Sequence, residues 1–384
     1  MARRIAVVID PWDYPYNGTV VSTRRFVKAL ESRNYEFELL SIGPQAGSGA
    51  GFRQLSIPGF NRVIDRMRAP LARPDRQLLR ERLAGCELLH IQYPFFLAYA
   101  ALEEARKLGI PVVSSFHVQP ENILQNIRLP SRALSGLLYR LFIRWIYNRA
   151  DRVIAPSQFA ARLLTEHGLR SPVTVVSNGI PARFFGVTRR PRGSGYRLLS
   201  VGRLAREKQQ ETLLHAIALS RHRAEIELTL AGVGPRESYL KRLAADLGIR
   251  AEIGWIEDDV LLERYGSADL FVHTGSIELE GMSVLEAMAA GNAVVVSDSK
   301  ASACAAMIRE GSARFRKGDA ADLAEKIDCW LDDAPRREAQ GQHNRSEVLG
   351  LTHDRAVADI AAVYDRMLGA MSPGEFTAQL TGTS

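Results

Sequence analysis

Short β-branched runs alternate with amphipathic helical patterns through the first half of the chain, at residues 5–9, 37–42, 88–91, 111–116, 152–155 and 173–177. Alternation of this kind predicts a parallel sheet, because each strand must be carried back across a helix before the next can pair in the same direction. The pattern stops near Ile180 and restarts after Arg189-Arg190-Pro191-Arg192-Gly193-Ser194-Gly195, with further runs at 197–201, 227–231, 251–253, 270–273 and 293–297. A chain of 384 residues also exceeds what one core supports. The expectation is α/β: two Rossmann-like, doubly wound domains, residues 1–185 and 186–355, with a linker near 183–195. Residues 356–384 carry a helix pattern (Ala356, Ile360, Val363, Tyr364, Met367) and a polar tail. This helix is expected to cross back to the first domain.

Composition matters here for what it excludes. With 46% hydrophobic and 24% charged residues, the chain has the balance of a folded globular protein. Arg3-Arg4 followed by residues 5–10 reads as a buried first strand, without the apolar length or cleavage site of a signal peptide. The uncharged stretch 88–102 contains Pro94 and falls short of the roughly 18 apolar residues a membrane span requires. Cys86, Cys304 and Cys329 lack metal-ligand or CxxC spacing, which argues against a disulfide framework or zinc site and fits a reducing cytoplasm. Charge is lopsided: residues 1–190 hold 27 Lys+Arg against 14 Asp+Glu, and the remainder 23 against 29. The first half is therefore expected to meet something anionic: a membrane surface, nucleic acid or a charged acceptor. No recognition module or aromatic-interleaved basic stripe supports nucleic acid.

The strongest chemical signal is Glu278-Leu279-Glu280-Gly281-Met282-Ser283-Val284-Leu285-Glu286, two carboxylates bracketing a glycine and a helix start. The first turn of a helix leaves its N–H groups unpaired, so Gly281, Met282 and Ser283 can present donors and a positive helix end to a phosphate. Glu278 can then hold sugar hydroxyls, and Glu286 can reach a ribose. By itself the spacing more often marks an amphipathic helix with solvated glutamates. The context decides. Val201-Gly202-Arg203-Leu204-Ala205-Arg206-Glu207-Lys208 follows a predicted strand and sets two cations, Arg203 and Lys208, where negative charge grows on a departing diphosphate. Ala231-Gly232-Val233-Gly234-Pro235 adds a glycine turn at the next strand end, a weak signal in isolation.

From Gly202 to Gly291 these motifs resemble, in order, those of glycosyltransferase family four, whose members have the GT-B fold: two Rossmann-like domains facing a cleft. The resemblance implies a retaining transferase whose C-terminal domain binds the nucleotide sugar and whose N-terminal domain binds the acceptor. It implies that Arg203 and Lys208 bind the donor diphosphate, that Glu278 contacts the transferred sugar and Glu286 the ribose, and that Ile256 lies against the nucleobase. Gly202, Gly232, Gly234, Gly281, Met282 and Ser283 complete that donor site. In the first half, Pro15-Tyr16-Asn17-Gly18-Thr19-Val20 resembles the Asn-Gly-Val loop of diacylglycerol glycosyltransferases and related enzymes, which assigns Asn17, Gly18 and Thr19 to the donor. Glycine at 18 would let backbone approach a phosphate closely. His117, at the C-terminal end of a predicted strand, matches the family's active-site histidine, and Glu121 and Asn122 are candidates for the acceptor site. Two positions depart from the family pattern: Asn17 stands where many members have a second glycine, and Ser297-Asp298-Ser299-Lys300-Ala301-Ser302-Ala303 replaces a glycine-rich turn.

The expected reaction moves a hexose from a UDP- or GDP-sugar to an acceptor hydroxyl. No cofactor is expected, and no metal, since the Arg/Lys pair can supply the charge a divalent ion would otherwise provide. The segment 131–149 is apolar (Leu137, Leu138, Leu141, Phe142, Ile143, Trp145, Ile146) around a strip of Arg132, Arg140, Arg144 and Asn148. With the eight basic residues from Arg53 to Arg82, it reads either as a surface for anionic lipid or as a buried helix with one wet edge. The first reading favours a lipid-linked acceptor and a cytoplasmic enzyme peripheral on the inner face of the membrane. A soluble small-molecule or polysaccharide transferase and a GT-B-fold sugar-nucleotide epimerase are the alternatives.

Overall fold

A computed structural model describes residues 2–13, 18–43, 51–56, 70–190, 195–308, 310–369, 372, 375 and 379–381. The chain forms two compact units, Met1–Asn178 with Asp354–Ser384, and Gly179–His353. The division thus falls at 178 and 353, where the sequence suggested 185 and 355. The start of the expected linker belongs to the second unit: Phe184, in the short helix Ala182–Phe185, is buried in that unit's core with its ring edge-on to Tyr265 at 5.3 Å. Residues 191–194 lie outside the described residues.

In the first unit, β1 (Arg3–Val8), β2 (Tyr35–Leu40), β3 (Leu88–Ile91), β4 (Val112–Ser115), β5 (Arg152–Ala155) and β6 (Val173–Val175) form one parallel sheet in the order β2-β1-β3-β4-β5-β6. Ile5 sits in register with Phe37 on one side and Leu88 on the other. Every residue of β3 and β4 is buried, as strands covered on both faces require. The helix His353–Met367 packs into this unit, burying Ala356, Val357, Ile360, Val363 and Tyr364 in the same core as Ile5, Val7 and Leu88. At its end, Asp365 accepts from the Tyr35 hydroxyl at 2.7 Å and pairs with Arg3 at 2.5 Å.

In the second unit, β7 (Tyr196–Val201), β8 (Ile226–Ala231), β9 (Arg250–Gly254), β10 (Leu270–His273), β11 (Val294–Ser297) and β12 (Arg314–Phe315) form a parallel sheet in the order β12-β11-β10-β7-β8-β9. β12, two residues long, is the one strand of this sheet outside the sequence expectation, since a dipeptide has no period to detect. Chain order reverses between β1 and β3 in the first sheet and between β7 and β10 in the second. Loops leaving the C-terminal ends of such strands part in opposite directions and leave a crevice, which is where open α/β sheets bind ligands. No helix among the described residues is long and apolar enough to cross a membrane.

Candidate active site

The crevice of the second sheet is built by the loops after β7 and β10. Gly202 donates its N–H to the Ala231 carbonyl at 3.0 Å, and Leu204 donates to Val233 at 3.0 Å, so the loop bearing Arg203 lies on the glycine turn after β8. The approach is close: a Cβ on Gly232 would stand 2.1 Å from the Gly202 carbonyl oxygen, and one on Gly234 2.2 Å from that of Leu204. Gly232 and Gly234 therefore have a packing role that suffices to explain them. Arg203 is half-buried and its carbonyl accepts from Gln210 Nε2 at 2.9 Å.

The β10 loop is fastened to the same segment. Thr274 Oγ1 donates to the Lys208 carbonyl at 2.6 Å, and the Ser276 N–H donates to the Glu207 carbonyl at 2.9 Å. These bonds bring Lys208 Nζ against Glu278 Oε1, and His273 Nε2 reaches the same oxygen at 2.9 Å. Burial alone would drive both members of the pair toward neutrality. For Glu278 burial pulls the pKa up, but Lys208 and then His273 outweigh it and hold the carboxyl at about 2. For Lys208 burial pulls the pKa down and Glu278 more than restores it. Lys208 is thus an ion-paired cation shared with Glu278 rather than one directed at a phosphate alone.

Gly281 caps the helix Met282–Ala289 with φ +84°, a left-handed conformation that glycine adopts at no steric cost. A Cβ there would also lie 2.2 Å from Cys304 Sγ. No side chain among the described residues caps this helix, so the first-turn amides at Met282 and Ser283 have the orientation an anion site needs. Glu286, one turn in, accepts from the Tyr265 hydroxyl at 3.3 Å. Ile256 is buried beyond β9, two strands from β7. The 297–303 segment that departs from the family pattern supports Glu278 directly: the Glu278 N–H donates to Ala301 at 3.2 Å, the Ala303 N–H donates to Glu278 at 2.8 Å, and Ser299 Oγ donates to Ser276 at 2.6 Å.

The first unit presents a second polar cluster. His117 follows β4, is half-buried, and has its pKa pushed by burial down to about 4. It shares a cavity with His90, Gln92, Ser115, Ser177 and Asn178. His90 hydrogen-bonds Tyr364 Oη through Nδ1 at 2.6 Å and Ser115 Oγ through Nε2 at 2.7 Å; burial, then the neighbouring His117, lowers its pKa to about 3. Glu121 accepts from the Tyr139 hydroxyl at 3.1 Å, and Asn122 Oδ1 is buried without a hydrogen-bond partner among the described residues. Asn17 lies outside the described residues. Gly18 opens the helix Gly18–Glu31, where an added Cβ would meet nothing within 4 Å, so packing within the described residues gives no reason for a glycine there. Thr19 accepts through its carbonyl from Thr23 Oγ1 at 2.8 Å.

The structure therefore joins Lys208 and Glu278 directly and sets Arg203, Gly281 and Glu286 on the loops and helix around them. Sequence reasoning missed His273, Thr274, Ser276, Tyr265 and His90. The first three lie at a strand end just before a motif residue, which is a detectable signal; Tyr265 and His90 carried none.

Residues 189–347 match the family described as Glycosyl transferases group 1, and residues 16–184 match Glycosyltransferase Family 4. A GDP-mannose-dependent alpha-mannosyltransferase of Mycolicibacterium smegmatis is 26% identical, over 96% of this chain and 99% of that protein. An alpha-monoglucosyldiacylglycerol synthase of Streptococcus pneumoniae is 26% identical over 54% of this chain and 51% of that one. Among solved structures, Anabaena HepE in complex with UDP and glucose is similar with a TM-score of 0.74 at 16% identity, covering 95% of this chain and 100% of that chain. With both units matched and both sheets of GT-B type, the chain belongs to glycosyltransferase family four and is a hexosyltransferase.

Proposed function

We propose that this hexosyltransferase moves its sugar from UDP- or GDP-sugar to an acceptor hydroxyl with retention of anomeric configuration and without a metal or other cofactor. The observation that carries the reading is the ion pair of Lys208 with Glu278, seated between the Arg203 loop and the uncapped helix start at Gly281. A carboxylate kept ionised can accept from sugar hydroxyls, while Arg203, Lys208 and the Met282 and Ser283 amides face the diphosphate. Glu286, steadied by Tyr265, takes the ribose, and Ile256 the base. In the reaction the acceptor oxygen bonds to the anomeric carbon as the bond from that carbon to phosphate oxygen breaks, and the acceptor proton passes to the departing phosphate. His117, neutral at physiological pH, serves the acceptor side as a hydrogen-bonding group, with Glu121 and Asn122 as further acceptor contacts. The names of the mannosyltransferase relative and the UDP complex support the two nucleotide choices.

The test is thermal shift with UDP-glucose and GDP-mannose, since a bound donor raises stability by mass action. An added Tm shift of several degrees, lost in Arg203→Ala and in Glu286→Ala, is expected. Proton NMR of the product's anomeric carbon configuration then reads retention against inversion.

A lipid-linked acceptor at the inner membrane face is the finer part of this reading. The helix Arg132–Trp145 buries Ser135, Tyr139 and Ile143 but turns Leu134, Leu137 and Trp145 outward, the last at 50% exposure, with Arg140 and Arg144 also exposed. Outward apolar residues flanked by arginines suit the headgroup boundary of an anionic bilayer. The basic stretch 53–82 contributes less than its count suggests. Arg76 and Arg80 hold Glu104 at 2.8 and 2.6 Å, Arg82 pairs with Glu38, and Arg62, Arg66 and Arg68 lie outside the described residues. Sedimentation with phosphatidylglycerol vesicles, abolished by R140E/R144E and by high salt, is the expected result; equal binding to phosphatidylcholine vesicles would remove the charge argument.

A further inference from the structure

We infer that His273 is a positioning residue for the donor sugar: it fixes the Glu278 carboxylate through Nε2 to Oε1, so that this carboxylate keeps its aim when Lys208 turns toward phosphate. The inference rests on the donor-site reading above.

His273 is the last residue of β10, 2% exposed, and its Nε2 lies 2.9 Å from Glu278 Oε1. A bond from a ring nitrogen to an ionised carboxylate requires the nitrogen to carry the proton, so Nε2 is the donor. Lys208 lands on the same oxygen, which leaves Oε2 to accept from a ligand. The backbone around this bond is fixed from two sides. Glu278 is bridged to the 301–303 segment through Ala301 and Ala303, and Thr274 is tied to Lys208. Only the side-chain torsions of Glu278 remain to be set.

Gly275 gives independent support. A Cβ at that position would lie 2.4 Å from His273 Nε2 and 2.9 Å from Glu278 Oε1. The bond therefore occupies the space of a side chain, and the intervening residue has none. This geometry is more than a buried histidine finding a partner, because a peptide carbonyl would satisfy the ring equally well.

Two donors on one oxygen are redundant while Lys208 is paired with Glu278 and become necessary once a diphosphate binds. An arriving diphosphate competes with Glu278 for the Lys208 ammonium. A carboxylate held by Lys208 alone would follow it or rotate away; the imidazole is neither long nor flexible enough to follow, and keeps Oε2 directed at the sugar.

The experiment compares wild type, His273→Leu, His273→Gln and Glu278→Gln, alone and as the His273→Leu/Glu278→Gln double variant. UDP-glucose and GDP-mannose are the probes; nucleotide release and donor-induced Tm shift are the readouts. His273→Leu is expected to lose about 10- to 100-fold in kcat/KM for the donor, the range of one hydrogen bond to a charged group. His273→Gln, which can place an amide N–H on the same oxygen, should recover most of it. In the Glu278→Gln background, His273→Leu should add less than about 2-fold. Full additivity in the double variant, or no rescue by glutamine with the apo Tm unchanged, overturns the positioning role while leaving the donor site standing. A Glu278→Gln variant as active as wild type, or a wild-type Tm unmoved by both nucleotide sugars, overturns the donor-site reading and this inference with it.

Discussion

Both sheets end in buried polar side chains, and the two clusters keep opposite electrostatic states. After β7 and β10, Lys208 and Glu278 stay ionised because each outweighs the other's loss of solvation. In β3 and just after β4, His90 and His117 face no carboxylate among the described residues of their cavity, and burial leaves them neutral, at about 3 and 4. Desolvation acts on all four groups in the same sense, against the charged form; a partner of opposite sign is what reverses the outcome. The difference matches the work proposed for each end. An ionic cluster suits a doubly charged diphosphate and the sugar beside it, and a neutral hydrogen-bonded cluster suits an uncharged hydroxyl.

Breaking the ionic cluster should have the largest effect. Lys208→Ala strips Glu278 of its cation and should lower turnover by about 10² to 10³-fold, as removal of a preorganised charge contact does; a loss under about 5-fold would erase the contrast between the two ends. Next, His117→Ala should cut transfer about 10- to 100-fold while the donor-induced Tm shift stays intact, separating the acceptor end from the donor end. Gly275→Ala should destabilise the apo protein by about 1–3 kcal/mol through the collision with His273 and Glu278, measured by urea unfolding. The smallest effect concerns pH. The folded-state pKa values of His90 and His117 lie below the ordinary 6.5, so on acidification the unfolded chain takes up protons first. Their contribution to stability is fully present above pH 6.5 and is lost progressively as pH falls toward 4. His90→Gln should flatten the unfolding free energy over that window, whereas Glu278→Gln should lower it throughout the range above about pH 4.5, the carboxyl's ordinary value, with the difference from wild type fading as pH falls toward about 2.

The strands and the donor motif were legible because each rests on a local signal. Eleven of the twelve strands overlap the periodic runs, and Glu278, Gly281 and Glu286 lie in one contiguous segment. What was hidden depends on distant pairing. Tyr265 meets Glu286 from another helix, and His90 meets Tyr364 across most of the chain's length. The division at Asn178 escaped notice because Arg- and Gly-rich composition marks residues 189–195, whereas the actual start of the second unit is set by burial of Ile180 and Phe184. Distant pairing also hides which basic residues of the first half are engaged, since Glu38 and Glu104 hold four of its arginines, Arg4, Arg76, Arg80 and Arg82.

Ile180 and Thr352 form a parallel bridge, with the Ile180 N–H donating to Leu351 at 2.7 Å and the His353 N–H donating to Ile180 at 3.0 Å. The polypeptide thus departs for the second module and comes home through a single doorway. A segment whose two ends stand side by side is easily transplanted: a short splice can graft it into another host or reclose its own termini, and gene rearrangement needs to join only one pair of neighbouring points.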